Sequence, residues 1–139
     1  MSQEREIAGR LVTHPMIDGF TDEFLIVRAG VDGAGGCPHL YEVYDKGVEP
    51  KSSNDPGVDS KLLCRIELQH GNPKEVGVNG IGNQTLMLIA LDFLKKANAG
   101  EFSCRETSVV ITKLEEAMQW TKQREMDRRA RGVYLQHKK

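Results

Sequence analysis

Metal-ligand spacing, long apolar runs, a charge surplus and aromatic rings are all scarce in this chain. No apolar stretch approaches the ~18 residues that a membrane-spanning helix needs. The three cysteines, Cys37, Cys64 and Cys104, are odd in number and widely spaced. With no secretory leader in view, they point to a reducing cytoplasm rather than a disulfide framework. Cys37-Pro38-His39 is the one close Cys/His pair, and no second pair answers it, so no metal centre is expected. Nineteen Lys/Arg against twenty Asp/Glu leave a net charge of −1. A near-neutral chain has no general field for coating nucleic acid or a membrane surface. Aromatics are only 6% of the residues and hydrophobics 39%, which makes a thin core for this length. A homo-oligomer, which would bury more apolar surface, is therefore expected.

The pattern along the chain reads as α+β: a small antiparallel β-sheet followed by a C-terminal antiparallel helical hairpin with a long second helix. Residues 1–22 carry Pro15, Gly19 and scattered charges, and read as a weakly ordered leader. Residues 23–78 form the sheet region. Phe24 to Val27 and Leu40 to Tyr44 read as strands. Leu62 to Gln69 alternates cleanly, with Leu62, Cys64, Ile66 and Leu68 on one face. The polar stretch 45–60 reads as a long exposed loop. Glu75 to Val78 reads as a short edge segment after the turn His70-Gly71-Asn72-Pro73.

Residues 79–134 read as the hairpin, and 135–139 as a tail. The first helix, from about Asn83 to Ala97, is apolar nearly all round and must be covered on more than one side. The second has its start signal in Ser103-Cys104-Arg105-Glu106, the S-x-x-E form of a capping box. It can run to Arg131, with Gly132 as its stop. At 1.5 Å per residue it spans roughly 40 Å, against roughly 22 Å for the first helix.

Steps of four and three along the second helix place Val110, Leu114, Ala117, Thr121, Arg124, Arg128 and Arg131 on one stripe. The first half is apolar and can pack on the first helix. The second half turns to arginine, beyond the expected reach of that shorter helix. Either the charged end simply projects into water, or it meets another subunit or the sheet and the arginines line a shared pocket. Arg124 and Arg128 lie one turn apart, so their guanidinium groups can converge on one anion, such as a pyrophosphate or cyclic phosphodiester.

Other candidates carry less. Gly33-Ala34-Gly35-Gly36 lacks the Lys-Ser/Thr of a phosphate loop and opens no helix, so it reads as a hairpin turn. His39 and Tyr41 share a strand face, as ligand contacts or as ordinary sheet-surface residues. Trp120, the single tryptophan, reads as an interface or core residue. Cys104 sits at a helix start beside Arg105, which favours thiolate. No histidine near it in sequence could serve as its base, so nucleophilic catalysis is not expected.

Several ordered motifs over residues 65–134 resemble the hairpin of phage Thoeris anti-defence sponge proteins, which is grouped with that of anti-CBASS sponges. They are Glu75-Val76-Gly77-Val78-Asn79-Gly80, Phe102-Ser103-Cys104-Arg105-Glu106, Thr112-Lys113-Leu114-Glu115-Glu116-Ala117 with Trp120, and Asp127-Arg128 followed by Arg131-Gly132-Val133. Upstream, Gly35-Gly36-Cys37-Pro38-His39-Leu40-Tyr41 is similar to a segment of longer phage relatives. The resemblance implies dimer-based oligomers, hexamers in some members. It implies that cyclic-ADP-ribose isomers, and in some members cyclic oligonucleotides, are sequestered without catalysis or a cofactor. It implies ligand contacts at Arg124 and Arg128. Ala97 stands where the family commonly has a ligand-stacking Phe, Thr107 where it has Asn, and Tyr134-Leu135 where it has Glu-Gly.

The candidate ligand-binding set is Arg124, Arg128 and Arg131 of the stripe, Arg105 and Thr107 of the cap, Asn98 at the end of the first helix, and His39 and Tyr41 of the sheet. The expected function is a phage counter-defence protein in the infected host cytoplasm. It would bind a cyclic nucleotide immune signal without cleaving it. The alternatives are a purely structural oligomerisation protein and an enzyme that degrades such a signal.

Overall fold

A computed structural model describes residues 10–17, 19, 24–45 and 62–133. Most of the expected leader, nearly all of the expected loop at 45–60 and the tail at 135–139 lie outside the described residues. The chain divides into two compact units, residues 1–80 and 81–139.

The first unit is a four-stranded antiparallel sheet of order β1-β2-β3-β4, with β1 Arg10–Leu11, β2 Leu25–Ala29, β3 Leu40–Asp45 and β4 Leu62–Glu67. Ile26 pairs with Tyr44 and Arg28 with Glu42, so these four share one face. Val43 opposes Cys64 and Tyr44 opposes Leu62, which leaves Leu63 as the extra residue of a bulge. Leu63 is correspondingly exposed.

The centre of the sheet is polar. Glu42 and Tyr44 are each 1% exposed. Glu42 accepts from Arg65 Nε at 3.0 Å and Nη2 at 2.9 Å, and from the Tyr44 hydroxyl. A buried carboxylate is tolerable because both of its oxygens are engaged.

The segment expected as an edge strand is instead the short helix α1, Pro73–Val76. Asn72 caps it by accepting from the Lys74 N–H at 2.9 Å, and Pro73 supplies the preset φ of a first helical position. Asn79 then ties the loop back: it exchanges hydrogen bonds with His70, and its N–H donates to Gln69 Oε1 at 2.9 Å. Gly80 runs so close to β4's exit that a Cβ there would lie 2.5 Å from the Leu68 carbonyl carbon. No side chain fits at that position.

The second unit is an antiparallel helical hairpin of α2, Asn83–Asn98, and α3, Arg105–Ala130. Three cross-links fix the pairing: Gln84 Nε2 donates to Glu125 Oε1 at 2.8 Å, Lys95 Nζ lies 3.0 Å from Glu115 Oε2, and Asn98 Nδ2 donates to Ser108 Oγ at 3.0 Å. Gln84, Met87, Leu91, Leu94 and Asn98 form the covered stripe of α2, with Leu91 buried. The covered stripe of α3 is Thr107, Ile111, Leu114, Met118, Thr121, Glu125 and Arg128. This corrects the expected stripe: Leu114, Thr121 and Arg128 belong to it, whereas Val110, Ala117, Arg124 and Arg131 are exposed. Packing chose Ile111 and Met118, which have more apolar surface to bury than Ala117.

Two further expectations need correction. The capping box at Ser103 does not form. Cys104 is the N-cap, and its N–H donates to Asn98 Oδ1 at 3.1 Å. Nor does α2 leave the arginine half of α3 unaccompanied, because Gln84 at its start meets Glu125. The expected stop at Gly132 is present as a Schellman turn: Gly132 has φ 73°, Val133 N–H bonds Arg128 O at 2.9 Å, and Gly132 N–H bonds Arg129 O at 3.1 Å.

Covering on more than one side was expected for α2, yet Leu88, Ile89 and Phe93 are exposed in the single chain. No helix among the described residues is long and apolar enough to cross a membrane.

Cys104 Sγ lies 3.1 Å from the Thr107 hydroxyl. That hydroxyl, followed by the Thr107 N–H, holds the thiol below its ordinary value of 9.0, against the opposing Glu106 charge. The cause is Thr107, not the expected Arg105. Alkylation of Cys104 by iodoacetamide, followed by mass spectrometry against pH, should reach half-rate at a lower pH than a free cysteine peptide. Thr107→Val should move that midpoint upward. In the sheet, Glu42→Ala should remove the hydrogen bonds that Arg65 and Tyr44 make to its carboxylate and lower stability by about 1.5–3 kcal/mol, the range for hydrogen bonds to a charged group. Urea denaturation followed by circular dichroism measures it.

Candidate functional site

The arginines gather where α2 begins. A groove of about 510 Å³ on the hairpin is lined by Asn83, Gln84, Trp120, Thr121, Arg124, Glu125 and Arg128. That volume falls within the roughly 300–1,000 Å³ of small-molecule sites. α3 contributes Trp120, Thr121, Arg124, Glu125 and Arg128 because these lie on, or one position beside, its packed stripe as it passes the start of α2.

The two arginines are held differently. Arg128 is 7% exposed, and its Nη2 donates to Val133 O at 3.1 Å. The Schellman turn therefore fixes its guanidinium in place through the residue after Gly132. Arg124, one turn earlier, is exposed. Gly82 caps α2 without a side-chain hydrogen bond, so no capping side chain covers the N–H groups of the first turn. The positive end of the α2 dipole thus opens onto the groove beside two guanidinium groups. Glu125 is the opposing charge, oriented by Gln84.

A second groove of about 460 Å³ flanks the same helices, lined by Leu91, Met118, Gln119 and Lys122 with Glu115 and Glu125. It holds one cation against two carboxylates and has no arginine. Of the two, the Arg124–Arg128 groove is the one suited to an anion.

The structure divides the other expected residues. Asn98, Arg105 and Thr107 lie together at the opposite end of the hairpin, where Asn98 and Thr107 serve the N-cap of α3. Thr107 and Arg124 are roughly 25 Å apart along the helix axis, too far to meet on one small ligand within a single hairpin. Arg131 is the C-cap of α3 and is exposed. His39 and Tyr41 belong to the sheet unit. The His39 ring lies 5.0 Å from that of His70, and Tyr41 pairs with Ala29 and Ile66 in the strand ladder.

Sequence reasoning missed Asn83, Gln84 and Glu125 as groove residues and put Trp120 elsewhere. The missed signal was the alternative four-three stripe from Thr107 to Arg128, whose flank carries Trp120 and Arg124.

A family model described as "Acb2/Tad1, hairpin domain" matches residues 61–124. The match takes in β4, α1, α2 and most of α3, and ends at Arg124. The chain is also similar to Thoeris anti-defense 1 of Bacillus phage SBSphiJ7, 39% identical over 77 residues, which cover 55% of this chain and 54% of that relative. The chain thus spans about half the length of the curated relative it matches. Residues 61–124 are thus similar to the Acb2/Tad1 hairpin domain, and an overlapping stretch of the chain is similar to a phage Thoeris anti-defence protein.

Proposed function

We propose that this protein is a phage counter-defence protein that binds a cyclic nucleotide immune signal, a cyclic-ADP-ribose isomer or a cyclic oligonucleotide, in the Arg124–Arg128 groove and withholds it uncleaved. The observation that carries the reading is that Arg124, Arg128 and a helix start without a side-chain cap line one groove of nucleotide size. Guanidinium forks match phosphate oxygens bidentately. Similarity to a phage protein named for Thoeris anti-defence supports a counter-defence role, and we place its action in the cytoplasm of an infected bacterium. Binding without turnover fits a lining that offers neither histidine nor cysteine; its one carboxylate, Glu125, is held by Gln84.

The proposal includes a homo-oligomer. Leu88, Ile89, Phe93 and Val110 stand exposed on helices with a thin shared core. A second copy packed antiparallel along α3 would also set the Thr107 end of one hairpin beside the arginine end of the other. Such a pocket would unite residues that one chain keeps apart.

Isothermal titration with cyclic ADP-ribose isomers and cyclic di- and trinucleotides tests the reading. At least one should bind at micromolar affinity or tighter and be recovered intact after heat denaturation. Absence of binding across the panel would reject the reading, and recovery of a cleaved product would replace a sponge with an enzyme. Arg124→Ala should weaken that ligand by about 10- to 100-fold, as for a lost hydrogen bond to a charged group, with helicity unchanged. Phe93→Asp should lower the assembly mass measured by light scattering; an unchanged mass would remove this face from any subunit contact.

A further inference from the structure

Two residues of the arginine groove have chemistry that anion binding alone does not call for. Trp120 is 75% exposed although it is the largest side chain of the hairpin. It lies on the groove's lining beside Thr121 and one turn from Arg124. Leaving an indole in water forgoes the gain of burying a large apolar ring. Glu125 sits between the arginines in sequence and in the same lining, where its charge opposes any bare polyanion. Gln84 keeps one of its oxygens oriented by a 2.8 Å bond rather than neutralising it.

An anion that also carries a flat π system and hydrogen-bond donors would use all three chemistries together. The guanidinium groups take the phosphate, the indole takes the flat face, and the carboxylate accepts from a hydroxyl or amine. We infer that Trp120 is the base-stacking residue of this groove and that Glu125 is its acceptor for a ribose hydroxyl or base amine. Together they select nucleotides over simple phosphates. This rests on the reading of the groove as a nucleotide site and adds to it the two residues that set specificity.

Trp120 is the only tryptophan in the chain, so its fluorescence reports on this one ring. The probes are cyclic ADP-ribose, cyclic di-AMP and, as the base-free anion, inorganic pyrophosphate. The base-bearing probe that binds wild-type protein most tightly should quench the fluorescence with the same midpoint as its calorimetric titration. Trp120→Ala should weaken that probe by about 10- to 100-fold, the range for one lost base–aromatic stack, and Trp120→Phe should restore most of the loss. Pyrophosphate should bind at least tenfold more weakly than the base-bearing probe, with no change in Trp120→Ala. Glu125→Gln should strengthen pyrophosphate while weakening the base-bearing probe.

Wild-type protein that binds none of the probes would reject the nucleotide reading and this inference with it. Base-bearing binding that depends on Arg124 but stays within twofold in Trp120→Ala would leave the reading standing and overturn the inference alone. A fall in assembly mass in Trp120→Ala, without a ligand-dependent fluorescence change in the wild type, would also overturn it by making the ring a subunit contact.

Discussion

The face that α3 turns toward α2 determines everything the hairpin presents to a ligand. Seven positions from Thr107 to Arg128, spaced four and three, lie on the covered side. Their middle is apolar and packs on Met87, Leu91 and Leu94. Their ends are polar, and each polar end is satisfied by a specific partner. Thr107 meets Cys104 at one end, Glu125 meets Gln84 at the other, and Arg128 folds back on Val133. A one-residue rotation of this helix would expose Arg128, bury Arg124 and break the Gln84–Glu125 bond. Register is therefore the constraint on which both the packing and the groove depend.

The architecture was legible because it rests on periodicity. Alternation in Leu62 to Gln69 and the apolar run after Asn83 placed β4 and α2 close to their observed bounds, with β4 ending two residues earlier at Glu67. Gly132 marked the end of α3 because a left-handed residue there closes the turn. What failed was competition between near-equivalent local signals. Ser103 and Cys104 could each precede the helix, and the choice fell to Asn98, a residue in another helix whose side chain holds the Cys104 N–H. Pro73 redirected Glu75 and Val76 from strand to helix, through a cap on Asn72 that a reading of apolar content overlooks.

The site was half legible for the same reason. Two arginines one turn apart are visible in any helical projection. The partners that make a groove of them come from the start of α2, some forty residues earlier, and no spacing rule links the two. The stripe containing Val110 and Ala117 and the stripe containing Ile111 and Met118 differ by a rotation of about 50°. Both include Leu114, Thr121 and Arg128. Only the larger apolar side chains of the second decide between them, and that decision moves Arg124 from the seam to its rim.

The contrast between Arg128 and Arg124 bears on how such a groove could work. Arg128 is already ordered by its own helix terminus, so little side-chain entropy is lost when it meets an anion. The cost of that preorganisation is borne by the Schellman turn. Arg124 is exposed, and a ligand at the proposed site would have to order it. A pocket with one fixed and one mobile guanidinium fixes where a phosphate sits while tolerating differences in the rest of the molecule. With Glu125 setting a penalty on excess negative charge in the same lining, affinity would come from the phosphate and discrimination from what is attached to it.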